Sequence, residues 1–424
     1  MQAHPSSRGT HRLALRGSGG GMKRTVLVHV SGEDRPGITA GLMRVLAEGG
    51  AELADVEQVL VRGRLTLDIL IDLPEDQATI KDLLFYAWEH DISVDFEVVE
   101  GTPREPASRS VVTVIGARIG PDAFGAVAGA VAAAGGNIDR IFRLSRYPVV
   151  SYELAITDGD LAEMRNLLPA VAAEHGVDVA VQAEGLLRRA KRLVVLDVDS
   201  TLIQDEMIVL LADEAGVREE VEALTASAME GEADFEEVLR ARVRLLAGLD
   251  AAVLETVRSR IRLTPGARTF IRTLKRLGLQ VGIVSGGFTV FTDWLREELG
   301  LDHAAANTLE VVDGRLTGEV VGPVVDRARK AEILREIATA AGIPLEQTVA
   351  VGDGANDVDM LATAGLGIAF NAKAAAREVA DTAVSVPYLD AILFLLGIRR
   401  DDVDDADRHD GLDAPIPIPG LPDR

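Results

Sequence analysis

Residues 193–201 read Leu193-Val194-Val195-Leu196-Asp197-Val198-Asp199-Ser200-Thr201. Four apolar residues without alternation indicate a strand buried on both faces, and the acids that follow mark its carboxyl end. Three similar runs come later, Val281 to Val284, Thr348 to Val351 and Leu366 to Phe370, with helix-length segments between them. Short continuous strands separated by helices predict an α/β domain, a Rossmann-like parallel sheet covered on both faces. Ligands bind such a sheet beyond the carboxyl ends of its strands. The first run delivers Asp197 and Asp199 there, the second Ser285 with Gly286 and Gly287, and the third, through Gly352, Asp353 with Asn356 and Asp357 close behind. An Asp or Ser at one strand end alone reads more readily as a turn residue or cap. Coincidence at three strand ends, with two acids at i and i+2, favours a site.

Asp326 has the position of an N-cap, which puts Arg327, Arg329 and Lys330 in a first helical turn, where cations oppose the helix dipole. That placement calls for an anion nearby. Lys330 falls three and four residues before Ile333 and Leu334, on the inward face, whereas Arg327 and Arg329 read as solvated charge. Between the first two strands, about 204–262, the apolar spacing is helical throughout and predicts a cap. Phe235, Val238, Leu239, Leu245 and Leu246 mark one apolar stripe of it; Arg242 lies in the stripe, and Arg240 and Arg244 lie off it. A cation in that stripe needs an anion, either a substrate group or one of the insert's glutamates.

Upstream the periodicity changes. Thr25 to Val30 is β-rich, Ile38 to Ala47 has helical spacing, two strands flank Arg62-Gly63-Arg64, and a helix near Thr79 to Glu89 precedes a strand from Ile92 to Val99. The order βαββαβ recurs from Val111 to Val181, with the same double glycine after the first helix. Two ferredoxin-like α+β domains are therefore expected, 22–103 and 107–187, ahead of the α/β domain at 190–398. Residues 1–21 carry Arg8, Arg12 and Arg16 and no acid, and read as a disordered tail, with Met1 and Met22 both open as starts. Residues 399–424, Asp-rich and then Pro-rich, read as an acidic disordered tail.

Lys+Arg 44 against Asp+Glu 67 leaves a net charge of −23, which argues against nucleic-acid and anionic-membrane partners. No apolar run approaches the roughly 18 residues of a membrane-spanning helix. The absence of cysteine excludes a thiolate nucleophile and Cys-based zinc, and fits a reducing, cytoplasmic setting. The seven histidines include no pair at i, i+4, which argues against a zinc hydrolase.

Asp197 to Thr201, Ser285-Gly286-Gly287, Lys330 and Gly352-Asp353-Gly354-Ala355-Asn356-Asp357 resemble, in order, the four motifs of the haloacid dehalogenase superfamily. Within it, Asp199 to Leu202, Glu206, Ala228-Met229-Glu230-Gly231, Leu239 to Val243 and Val284 to Phe288 resemble the phosphoserine phosphatase family, over Lys191 to Val386. Residues 24–187 resemble two tandem ACT domains, amino-acid-binding regulatory modules. Gly32 to Gly37 is similar to their first-loop motif, where the second copy has Gly120-Pro121-Asp122 instead.

The resemblance implies hydrolysis of phosphoserine, the last step of serine biosynthesis, with Asp197 as nucleophile and Asp199 as acid and then base. It implies Mg2+ on the Asp197 and Asp353 carboxylates and the backbone carbonyl of Asp199, with Asp357 orienting Lys330 or metal-bound water. Lys330, Ser285 and Gly286 would hold the phosphoryl oxygens, and Asn356 would also face substrate. Arg242 would take the α-carboxylate and Glu206 the ammonium, while Met229 and Phe235 close the lid. An amino-acid effector, expected to be serine, would bind near Asp34 and Gly37, and a homodimer or larger homo-oligomer is expected. The alternatives are another small phosphomonoester, a phosphotransferase acceptor, and an amino-acid sensor with an inactive hydrolase domain.

Overall fold

A computed structural model of the chain describes residues 24–73, 78–99, 106–229 and 235–412; the expected tail at 1–21 lies outside them, as do the side chains of 226–229. The chain divides into two compact units between Glu105 and Pro106.

In the first unit, strands Arg24–Glu33, Glu52–Val61, Arg64–Leu73 and Ile92–Val98 form an antiparallel sheet, and helices Ile38–Glu48 and Ala78–His90 complete the βαββαβ order. Arg24–Glu33 alternates, burying Val26, Val28 and Val30 against Leu42, Leu46 and Leu83 of the helices. Only one face of this sheet is buried, the pattern of an antiparallel sheet with one solvated side.

The second unit repeats that order in strands Arg109–Gly116, Gly136–Ser145, Val150–Asp158 and Asp178–Ala183 with helices Pro121–Ala133 and Leu161–His175. Arg109–Gly116, however, is buried from Ser110 onward on both faces. Val112 and Val114 pack under the helices, while Ile115, Leu144, Val149 and Ala180 join the core of the domain that follows. Gln182 Nε2 donates to the Leu395 carbonyl at 2.9 Å, and the buried Arg188 pairs with Glu153.

That following domain is built on a seven-stranded sheet, ordered Arg315–Val321, His303–Val312, Gln280–Phe288, Leu193–Leu196, Thr348–Gly352, Gly367–Phe370, Thr382–Val384. All neighbours are parallel except the outer pair His303–Val312 and Arg315–Val321. Leu193–Leu196 lies at its centre with every residue buried, as a continuous apolar run requires. Helices Met207–Ala215, Arg218–Met229, Phe235–Arg244 and Val253–Arg260 form the insert.

The acidic tail expected from residue 399 does not begin there. Arg400–His409 is a helix, its Val403 buried and its Asp407 held by Arg272 and Arg276, and Arg400 reaches the buried Asp390. An Asp-rich segment orders here because arginines distant in sequence neutralise it.

Removal of residues 1–105 takes away a module with its own core, whereas removal of 1–186 also uncovers apolar surface shared through Ile115, Leu144, Val149 and Ala180. The shorter chain is expected to melt about 5–15 °C below the one starting at Pro106, measured by calorimetry.

Candidate active site

Asp197 leaves its strand with an extended backbone, and Ser200 turns the chain in the left-handed region (φ 60°), an uncommon conformation for a residue with a side chain. The turn sends Asp197 and Asp199 to different partners. Asp197, 2 % exposed, accepts from Lys330 Nζ at 2.6 Å through Oδ1, and the same Nζ donates to Asp357 Oδ1 at 2.7 Å. Asp326 caps the helix Arg327–Ala340 by accepting from the Arg329 N–H, and this brings Lys330, fully buried, against the sheet edge. The anion expected beside Lys330 is thus this carboxylate pair. Arg327 and Arg329 pair with Asp359 and Glu336 at the surface.

Asp357 is used twice, since its Oδ2 accepts from the N–H groups of Asp353 and Gly354 at 3.1 and 3.0 Å. Gly352 makes that approach possible: a Cβ there would stand 2.5 Å from the Asp357 Cγ. Asp199 accepts from the Met207 N–H at 2.7 Å and from Ser285 Oγ at 2.9 Å, and Ser285 Oγ in turn accepts from the Gly287 N–H. Asn307 holds this loop, donating to the Gly286 carbonyl and accepting from the Val325 N–H, both at 2.8 Å. Thr201 Oγ1 lies 3.4 Å from Asp353 Oδ1.

Burial, followed by the charge of Glu206, pushes the Asp199 carboxyl up to about 7. Burial and Asp357 push Asp353 up to about 6, with Lys373 opposing. Burial and Asp357 also raise Asp197, against the pull of Lys330. Burial works against the Lys330 ammonium, but Asp197 and Asp357 reverse this and hold it above the usual lysine range. One lysine therefore faces an excess of buried carboxylate. Asp197, Asp353 and Asp357 bring carboxylate oxygens within 4.8 Å of one another, an all-oxygen donor set that fits a hard divalent cation. Both oxygens of Asp357 are already committed, so Asp197 and Asp353 are the carboxylates with an oxygen to spare, while the Asp199 carboxylate is held by Met207 and Ser285.

The carboxylates open into a cavity of about 610 Å³ between sheet edge and insert. Of the residues expected to meet substrate, Glu206, Phe235, Arg242, Gly286 and Asn356 line it; Ser285 and Lys330 are buried beside it, and the Met229 side chain lies outside the described residues. Glu206 accepts from Ser200 Oγ at 3.1 Å. Arg242 donates from one terminal nitrogen to Thr225 Oγ1 at 3.3 Å, but its buried Nε has no partner, so no glutamate of the described insert neutralises it directly. Arg240 is not simply solvated, since it bonds Glu236 and the Val320 carbonyl; Arg244 is exposed. Sequence reasoning missed Lys373, which lines the cavity, and Asn307. Lys373 follows the strand Gly367–Phe370, and the rule that located the other site residues at strand ends points to it as well.

Residues 194–362 match the haloacid dehalogenase-like hydrolase family, and 24–97 and 108–182 each match an ACT domain. The phosphoserine phosphatase of Streptomyces coelicolor is 55% identical over 393 residues, 90% of this chain and 94% of that protein. Phosphoserine phosphatase SerB2 of Mycobacterium tuberculosis is 51% identical over 397 residues, 92% of this chain and 97% of that one. The crystal structure of a probable phosphoserine phosphatase from Vibrio cholerae in unliganded form, 36% identical, aligns with a TM-score of 0.54 over 70% of this chain and 88% of its own. Fold and site together define a haloacid dehalogenase-like hydrolase with two ACT domains. Within that class, the chain belongs to the phosphoserine phosphatase family.

A carboxyl whose pKa is higher in the folded chain than in the unfolded one contributes stability at low pH that is lost as pH rises through the folded value. For Asp199 that window runs from the ordinary value of about 4 to about 7. Chelator-treated protein is therefore expected to lose a few degrees of thermal stability between about pH 5 and pH 8, and Asp199→Asn to flatten part of the slope. Melting curves across that range decide it; an unchanged slope in the variant would assign the effect to other groups.

Proposed function

We propose that this enzyme hydrolyses O-phospho-L-serine to L-serine and phosphate through a phosphorylated Asp197, as the last step of serine biosynthesis in the cytoplasm. The observation that carries this reading is one cavity with the buried carboxylates at one wall and Arg242, its buried Nε unpartnered, at the other. Burial destabilises the Arg242 charge, with Glu206 and Asp199 opposing, so an added carboxylate is favoured there. The α-carboxylate of the substrate would take the Arg242 fork, its ammonium would face Glu206, and its phosphate would face Asp197.

Asp197 attacks phosphorus as the bond to the serine oxygen breaks, and Asp199, protonated at the start because its pKa is raised, gives its proton to that oxygen. Water then attacks the phosphorylated Asp197, Asp199 takes its proton, and phosphate leaves. Gly286 and Asn356 line the cavity where the phosphoryl oxygens would lie, with Ser285 and Lys330 supplying donor and charge from behind. Asp197, Asp353 and the Asp199 carbonyl would hold Mg2+, with Asp357 orienting Lys330; the ion would supply positive charge against the phosphoryl oxygens. Phe235 would shut out water from the cap side together with Met229.

The first test is phosphate release from a panel of phosphorylated metabolites. Phosphoserine is expected to be preferred, Asp197→Asn to be inactive, and Asp199→Asn to lose roughly 10²–10⁴-fold. Arg242→Lys keeps the charge but not the planar fork, and is expected to impair phosphoserine far more than an aryl phosphate without a carboxylate. Equal losses on both would make Arg242 structural.

The ACT domains are proposed to bind an amino-acid effector, serine, near Asp34 and Gly37, and to support a homodimer or larger assembly. Gly37 takes a left-handed backbone (φ 98°) that a side chain would strain, and the edge strand Glu52–Val61 is exposed along its whole length, Leu53, Val59, Leu60 and Val61 included. Serine is expected to inhibit with a coupling of about 1–3 kcal/mol, and Gly37→Val to leave product competition alone. Coincident serine titrations of the two proteins would remove the first ACT domain as the sensor.

A further inference from the structure

Asn371 to Ala375 belongs to none of the four motifs, yet Lys373, Ala374 and Ala375 line the cavity, and the Lys373 N–H donates to the Asp353 carbonyl at 2.9 Å. Among the described cavity-lining residues the cations are Arg242 and Lys373, and Lys373 comes from the loop that follows the strand Gly367–Phe370. The segment is exposed at four of its five residues, so packing alone does not fix it. Asn371 also carries a left-handed backbone (φ 45°), a conformation that persists where surrounding bonds hold it.

Those bonds lead to one place. The Asn371 N–H donates to the Val384 carbonyl at 2.8 Å, at the end of the outermost strand Thr382–Val384. Arg377 reaches back with Nε to the Ala372 carbonyl at 2.7 Å and forward to Ser385 Oγ at 3.1 Å. Ser385, next to the strand end, donates its N–H to Asp178 Oδ2 at 2.6 Å. Asp178 opens the last strand of the second ACT domain, Asp178–Ala183. Burial raises its pKa, against the hydrogen bonds from Ser385 and the charge of Arg377.

We propose that Asp178 of the second ACT domain is a positioning residue for Asn371–Ala375, so that this domain helps form the phosphoryl end of the active site. The inference rests on the cavity being the substrate site. It makes the second ACT domain a fixed support of the catalytic centre.

The test is a double-mutant cycle between Asp178→Ala and Lys373→Met in the full-length enzyme, read as kcat/KM on phosphoserine and on an aryl phosphate, with melting temperatures alongside. Asp178→Ala is expected to lower kcat/KM roughly 2- to 30-fold, and most of that loss to vanish when Lys373 is already Met. Asp178→Asn keeps an oxygen for the Ser385 N–H and is expected to recover much of the activity; Asp178→Ser makes a milder cut in the same cycle if the alanine variant does not fold. A residue that only stabilised the fold would shift the melting temperature and leave the two losses multiplying independently, and that result overturns the inference. Hydrolysis of the aryl phosphate but not phosphoserine would overturn the substrate reading while the cycle stays readable.

Discussion

The Lys330 ammonium between Asp197 and Asp357 is the interaction on which the site depends. Removing such ions from water costs several kcal/mol each, and breaking the pair from one side leaves an uncompensated buried charge. The fold meets this demand with elements distant in sequence: a strand end for Asp197, a capped helix start for Lys330, and the short helical turn Ala355–Asp357 after the strand Thr348–Gly352. The close fit of Asp357 over Gly352 follows from it, because a larger residue would push that carboxylate off the lysine. The bridge is also incomplete. With Asp353 beside the pair and Asp199 close by, one ammonium does not balance the carboxylates, and a divalent cation on the same oxygens would favour the ionised Asp197 that the proposed reaction needs.

The sheet edge and the cap divide the work by how far each is satisfied without substrate. At the sheet edge, Ser285, Gly287, Asn307 and Asp199 bond one another, which holds donors in place before any charge develops. Across the cavity the buried Arg242 Nε is unsatisfied. An unmade buried hydrogen bond costs about 1–3 kcal/mol, and a substrate carboxylate would recover it where a plain phosphomonoester would not. Selectivity in the proposed reaction thus resides in what the free enzyme leaves unpaired, and reactivity in what it already holds.

The site was legible because parallel strands announce themselves as continuous apolar runs and polar residues at their ends must share one edge. Lys373 obeys the same rule but does not stand out: the strand Gly367–Phe370 is followed by Asn371 and Ala372 before the lysine, with no acid or glycine cluster beside it. Asn307 was hidden because its role is to bond backbone of a neighbouring strand, a relation that only strand order reveals. The helix Arg400–His409 is hidden for a similar reason, since its acids look solvated until Arg272 and Arg276 are brought alongside.

The two ACT domains look alike by periodicity, but one difference in their first strands separates their tasks. Thr25 to Val30 alternates between buried and half-exposed positions, whereas Ser110 to Ile115, apolar at four of its six residues, is buried at every one. A strand buried on both faces needs a second layer, and the catalytic domain supplies it through Val386, Leu393 and Leu395 in the core shared with Ile115 and Ala180. The loops diverge in parallel. Gly37 is left-handed before its helix, while Gly120 is extended and followed by Pro121 at the first helical position, which fixes φ and removes one N–H from the helix start. A helix start with fewer free N–H groups is a poorer carboxylate site, so the second copy has the features of a mount, and the proposed effector site falls to the first.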